Sequence, residues 1–161
     1  MLNRVKISFL SGVLVVLGVG TAYAGPHWEV IGSGCIPSED SPAYDMAGNR
    51  VEFQGTETGD IHLTCPISVP DGSLLEYFNL EYDDDGGAAY YVEATLKYSE
   101  DGSVTNVCTV SSNLTTYDTN TCDFTNFTID TDIAHLYMYI RLHRDAGATT
   151  WNPKFYGIEL Y

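Results

Sequence analysis

Asp132-Ile133-Ala134-His135-Leu136-Tyr137-Met138-Tyr139-Ile140-Arg141-Leu142-His143-Arg144 alternates without a break. Ala134, Leu136, Met138, Ile140 and Leu142 fall on one side of a two-residue period. Ile133, His135, Tyr137, Tyr139, Arg141 and His143 fall on the other. A strand sends successive side chains to opposite faces, so an oily face meets a core and a polar, aromatic face looks outward. A helix would wind both sets around its circumference. The stretch therefore predicts a long, half-buried β-strand on which much of the core must pack.

Working outward, Ala146-Gly147-Ala148 forms a loop before Trp151-Asn152-Pro153. Lys154 to Tyr161 reads as a last strand, with Tyr156, Ile158 and Leu160 inward. Upstream, Thr121 to Ile129 is a weaker strand within a Ser-, Thr- and Asn-rich region. Val104 to Ser111 and Ala88 to Tyr98 form a hairpin across Glu100-Asp101-Gly102-Ser103. Leu74 to Tyr82 alternates, with Leu74, Glu76, Phe78, Leu80 and Tyr82 opposing Leu75, Tyr77, Asn79 and Glu81. Ile61 to Val69 contains Pro66, which cannot donate to a ladder and so marks an edge or a bulge. Arg50 to Gln54 and His27 to Ile31 are short strands, and Gly32 to Asn49 reads as a long loop. Eight or nine strands with turn signals about every ten residues predict an all-β fold. The expected architecture is an antiparallel two-sheet β-sandwich, jelly-roll-like, with a closed barrel second.

The chain opens with a basic Asn3-Arg4-Val5-Lys6, an apolar run from Ile7 to about Val19, and Ala22-Tyr23-Ala24. That is the layout of a secretory signal peptide cleaved after Ala24. The uninterrupted apolar run is shorter than the ~20 residues that span a bilayer, so no membrane span is expected in the mature chain. Residues 25–161 then form one β-sandwich domain, secreted or periplasmic. The whole chain holds 7 Lys+Arg against 22 Asp+Glu, a net charge of −15. Removing Arg4 and Lys6, and no acid, takes that net charge from −15 to −17. Such a field repels nucleic acid and anionic membranes. Four cysteines in an exported chain read as two disulfides. Cys108–Cys122 and Cys35–Cys65 are the favoured pairs. No Cys-x-x-Cys spacing is present, which speaks against zinc.

His135, Tyr137, Tyr139 and Arg141 are the leading ligand-binding candidates. A tyrosine ring packs on the apolar face of a pyranose while polar neighbours take the hydroxyls. Solvated sheet faces carry tyrosine routinely, however, so simple alternation in solvent, or cover by a loop, is the more common outcome. If the last strand pairs with the central one, matching Ile140 with Ile158 and Leu142 with Tyr156 adds Glu159 and Tyr161 to the same surface. It also places Arg141 diagonal to Glu159. His135 and His143 share a face but lie roughly 26 Å apart along a strand, too far to hold one ion.

Glu81-x-Asp83-x-Asp85-Gly86 approaches a calcium loop, with Glu81, Asp83 and Asp85 as ligands, but lacks the bidentate twelfth residue: Val92 stands there. Calcium is the one cofactor for which the sequence offers a loop. Asn113-Leu114-Thr115 and Asn126-Phe127-Thr128 match the N-glycosylation pattern. There is no Gly-x-Ser-x-Gly, no His-Glu-x-x-His and no P-loop, so catalysis is not the expected role. The reading is an exported, non-catalytic binding module, with glycan as the leading partner class. A structural or assembly protein meeting another extracytoplasmic chain is the alternative, and a small hydrolase using acidic residues is the third.

Overall fold

The structure, a computed structural model, describes residues 28–84, 87–113, 116–130, 134–147 and 151–161. The expected signal peptide lies outside the described residues, as do His27, Asp85 and Thr115. So do the side chains of Ala134 and Asn126.

The described residues form eleven strands: β1 (Trp28–Ile31), β2 (Ile36–Pro37), β3 (Tyr44–Ala47), β4 (Arg50–Phe53), β5 (Gly59–Pro66), β6 (Leu74–Asp83), β7 (Tyr90–Glu100), β8 (Ser103–Ser111), β9 (Asp118–Thr128), β10 (Ala134–Arg144) and β11 (Lys154–Leu160). They make two antiparallel sheets. One has the order β3-β4-β11-β6-β9, with β1 also pairing β11; the other has the order β2-β5-β10-β7-β8. This is the expected two-sheet sandwich, and β10 is the middle strand of its sheet.

The periodicity of β10 holds throughout. Leu136, Met138, Ile140 and Leu142 are buried against Phe78, Leu80, Phe155, Ile158 and Leu160 of the facing sheet in one continuous core. The inward phase runs on to Arg144, which is 1% exposed. Its Nη1 donates to the Gly55 carbonyl at 2.9 Å and to Asn152 Oδ1 at 2.6 Å, so this buried charge is hydrogen-bonded as burial demands. Both disulfides form as expected. Cys35–Cys65 ties the chain ahead of β2 to β5. Cys108–Cys122 joins β8 to β9, and these are edge strands of different sheets rather than neighbours in one. The bridge therefore closes one side of the sandwich.

Four expectations are corrected. Residues 32–49 are not one loop: they contain a 3₁₀ turn, β2 and β3. Both strands are short edge strands with no alternating apolar pattern to announce them. A bulge between Phe155 and Gly157 shifts the phase of β11, so Phe155 is buried and Tyr156 turns outward. Gly157 is required at that point, because a Cβ there would lie 2.7 Å from the Val30 carbonyl oxygen of β1. A second bulge, between Leu75 and Tyr77, buries Leu75 and leaves Leu74 44% exposed. Lastly, β10 and β11 lie in different sheets, so the expected Arg141–Glu159 contact does not form. Core matching between two strands is satisfied equally well when they face each other across the sandwich.

The bridge between β8 and β9 closes a loop with a sequence separation of 14. Replacing Cys108 and Cys122 together by serine is expected to cost about 3 kcal/mol, through the freedom regained by the unfolded chain. Urea unfolding followed by circular dichroism measures it. An unchanged midpoint would show that the strands hold that side of the sandwich without the bridge.

Candidate functional site

Hydrogen bonding to β5 on one side and β7 on the other fixes what surrounds each outward residue of β10. Tyr137 lies between Pro66 and Lys97, Tyr139 between Thr64 and Thr95, Arg141 between His62 and Glu93, and His143 between Asp60 and Tyr91. Among the described residues no loop covers this face: His135 is exposed, and Tyr137, Tyr139, Arg141 and His143 are each partly exposed.

The half of the face nearest Arg144 is closed on itself. Arg141 donates through Nε (2.9 Å) and Nη2 (3.0 Å) to the two oxygens of Asp60, a bidentate fork. His143 Nδ1 lies 2.7 Å from Asp60 Oδ1 and its Nε2 lies 2.8 Å from Asp145 Oδ1. The Tyr91 ring stacks on His143, with centroids 4.7 Å apart, and the Arg141 guanidinium sits 5.2 Å from the Tyr91 ring centre. Burial works against ionisation of Asp60, but the hydrogen bonds from Arg141 and His143 outweigh it and hold the carboxyl below its ordinary value of 3.8. The same pairing holds the Arg141 guanidinium charged.

Tyr139 is also enclosed. Its hydroxyl lies 2.6 Å from His62 Nδ1, and the two rings stack at 5.5 Å. The Lys97 ammonium rests 4.3 Å from the Tyr139 ring centre. His62 and Lys97 occupy opposite diagonals of the register, so they flank the ring from its two sides. Burial pushes the Tyr139 hydroxyl above its ordinary pKa.

Tyr137 differs. Among the described residues no ring stacks on it and no cation sits over it. With His135 it borders an open groove of about 510 Å³, lined also by Thr64, Pro66, Ser68 and Ile129. That volume falls within the ~300–1,000 Å³ range of small-ligand sites. Pro66 is the last residue of β5, beyond the last β2 pair at Thr64; Ile67 N–H still donates to the Leu136 carbonyl at 3.2 Å, and residues 66–69 form one side of the groove.

The remaining expected site residues lie elsewhere. Glu159 and Tyr161 are on the outer face of the other sheet. There the Tyr161 hydroxyl donates to Glu159 Oε2 at 3.0 Å and the Tyr161 ring stacks on Tyr77 at 4.7 Å. Glu159 stands directly across from Glu29 of β1. Burial, with Glu159 and Glu29 nearby, raises the Glu81 carboxyl above its ordinary value. Asp83, the second expected calcium ligand, accepts from Lys154 Nζ at 2.7 Å, so an ion there would have to displace the ammonium. The third, Asp85, lies outside the described residues. Among those described, no group of three or more His, Cys, Asp or Glu is arranged to hold a metal. The Asn113 Oδ1 accepts from the buried Tyr82 hydroxyl.

Asp60, His62, Thr64 and Lys97 complete the face, and the sequence alone does not single them out. Their alternation with Ile61, Leu63, Cys65 and Leu96 marks them as outward-facing. What the sequence lacks is any statement that β5 and β7 flank β10.

Because the folded Asp60 carboxyl titrates below its unfolded value, the stability it contributes is complete above about pH 4 and is lost as the pH falls through the lower, folded value. Melting temperature followed from pH 6 down to about 2.5 is expected to fall more steeply for the native chain than for Asp60→Asn, which cannot titrate there. Parallel curves would mean that the Arg141 fork contributes nothing to folding.

No known protein-family model matches the sequence, and no curated protein matches it. Among solved structures, a xylan-binding domain of carbohydrate-binding module family 22 shares 11% identity over 86% of this chain and 96% of its own, with a TM-score of 0.51. The C-terminal family 22 module of Clostridium thermocellum xylanase 10B shares 11% identity over 86% and 95%, with a TM-score of 0.50. The family 22 and catalytic modules of the N-terminal part of the same enzyme, complexed with xylohexaose, align with 9% identity and a TM-score of 0.53. That alignment takes in 84% of this chain and 27% of the longer two-module one. At these identities the resemblance is one of fold: a β-sandwich of the kind found in carbohydrate-binding modules.

Proposed function

We propose that the chain is an exported, non-catalytic carbohydrate-binding module, and that it holds a short run of sugar units in the groove beside Tyr137. The observation that carries this reading is the open ring of Tyr137 at the edge of a groove of about 510 Å³ that also presents His135, Thr64 and Ser68. An aromatic ring with side-chain donors and acceptors around it matches the amphipathic nature of a pyranose, which has an apolar face and a rim of hydroxyls. Tyr139 serves as a rigid wall rather than a platform, because His62 and Lys97 already occupy its flanks. The fold shared with a xylan-binding domain supports the same reading. Export is supported by the basic-then-apolar leader and by the two disulfides.

Calorimetric titration with oligosaccharides of four to six units, chosen from hits on a glycan array, tests it. Tyr137→Ala is expected to weaken binding by about thirtyfold, the loss of a buried aromatic anchor worth about 2 kcal/mol, with the melting temperature unchanged. Tyr161→Ala, on the opposite outer face, is expected to leave affinity as it was. The reverse pattern would move the site to the other sheet. An array without hits, together with light scattering that shows self-association, would favour the assembly role instead.

A further inference from the structure

Around Tyr137 the distribution of charge is unlike that of the rest of the chain. The whole sequence carries a net charge of −15. Among the described residues, Arg50 pairs with Glu52, Arg141 with Asp60 and Lys154 with Asp83, while Arg144 is buried. Lys97 differs from all of these. Its ammonium stays at the surface over the Tyr139 ring, and no described carboxylate stands within ion-pair distance of it. It lies directly across the ladder from Tyr137, and His135 lies one step further along the same face.

The nearest outward positions are Thr64, Pro66, Thr95, Ser99 and Asn106, and none is acidic. The face's own carboxylates, Asp60 and Glu93, sit at its other end, where Asp60 is committed to Arg141 and His143, and Glu93 accepts from the Ser111 hydroxyl at 3.3 Å. The carboxylates of Glu29, Glu81 and Glu159 belong to the far side of the sandwich.

Resting on the glycan reading above, we infer that the sugar recognised at Tyr137 bears an isolated negative charge, a uronate carboxylate or a sulfate ester, which Lys97 receives. The geometry sets where that charge sits on the ligand. The groove opens on the β5 side of Tyr137 and Lys97 stands on the β7 side, so the two are separated by about two strand spacings, roughly 10 Å. A sugar packed on Tyr137 within the groove therefore reaches Lys97 through a substituent or an adjoining ring. The strongly acidic remainder of the protein sets how much charge the ligand carries. A chain charged at every unit meets repulsion beyond the reach of Lys97, whereas a mostly neutral chain with one acidic branch gains the ammonium contact without it.

Calorimetry on the full chain, in low and moderate salt, with five probes decides this. They are xylohexaose, the same backbone with one glucuronic acid branch, that branched compound with its carboxyl reduced, a singly sulfated xylohexaose, and hexagalacturonate. The singly acidic probes are expected to bind about tenfold more tightly than the two neutral ones, as a charge-assisted hydrogen bond allows, and the advantage is expected to shrink with salt. A preference confined to the carboxylate or to the sulfate names the group. Lys97→Gln is expected to abolish the preference, bringing acidic and neutral probes to equal affinity, with the far-ultraviolet circular dichroism of the folded chain retained. Equal binding of neutral and acidic probes by the native chain overturns the charge inference and leaves the glycan reading standing. Tightest binding of hexagalacturonate overturns the isolated-charge part. Failure of every probe with a folded protein overturns the charge inference, and together with a glycan array without hits it overturns the glycan reading as well.

Discussion

The register of β10 is the constraint on which everything else rests. It is laddered on both sides, to β5 and to β7, through most of its length. Burial of Leu136, Met138, Ile140 and Leu142 favours the observed phase by about 1.5–3 kcal/mol for each side chain. A slip of one residue would put Tyr137, Tyr139, Arg141 and His143 into the core and those four apolar residues into water. An unpaired guanidinium cannot be buried at that cost. The outward face is thus dictated by the inward one. No residue of the candidate site can be repositioned without moving the core.

On that fixed frame the outward residues divide into a closed half and an open half. The Asp60–Arg141 fork, with His143 bonded to Asp60 and Tyr91 stacked on His143, is paired internally. Side chains held that firmly form a wall, because a ligand would first have to break their bonds to one another. Tyr139, flanked by His62 and Lys97, is the boundary. Tyr137 and His135 lie past it, beside the groove that opens where β5 ends at Pro66.

The sequence makes the strand phases legible wherever a single period runs unbroken, as in residues 134–144, and even Arg144 follows it inward. It is less legible at bulges. The extra residue between Phe155 and Gly157 turns Tyr156 out and Phe155 in, and alternation alone carries no sign of it. Gly157 was the one local clue, since a glycine within a strand marks close approach of another backbone. An even cysteine count implies two bridges, and adjacent strand candidates favour the pairing that forms without excluding the other two; the location of the bridged strands in different sheets is not legible at all. The largest gap concerned neighbours. Strand order depends on which apolar faces meet across the sandwich, and apolar strands match one another almost interchangeably. Periodicity alone therefore places Glu159 and Tyr161 on the wrong face and does not bring Asp60, His62 and Lys97 to the right one.

If the groove beside Tyr137 holds a sugar as proposed, the separation of those two faces sets the strength of that binding. Sheets in a sandwich pack about 10 Å apart, and their outer faces point in opposite directions. A sugar on Tyr137 cannot also touch the Tyr77–Tyr161 pair. The groove then supplies one open ring, a handful of hydroxyl partners and a single ammonium. Contacts of that number correspond to roughly 4–8 kcal/mol, a Kd between about 1 mM and 1 μM, once the lost freedom of the sugar is counted. Weak, rapidly reversed binding suits a partner that repeats the same unit many times along one chain, because release from one unit leaves the next within reach. On the proposed reading, a long polymer rather than a scarce free sugar is the target for which one groove on a rigid sheet is sufficient.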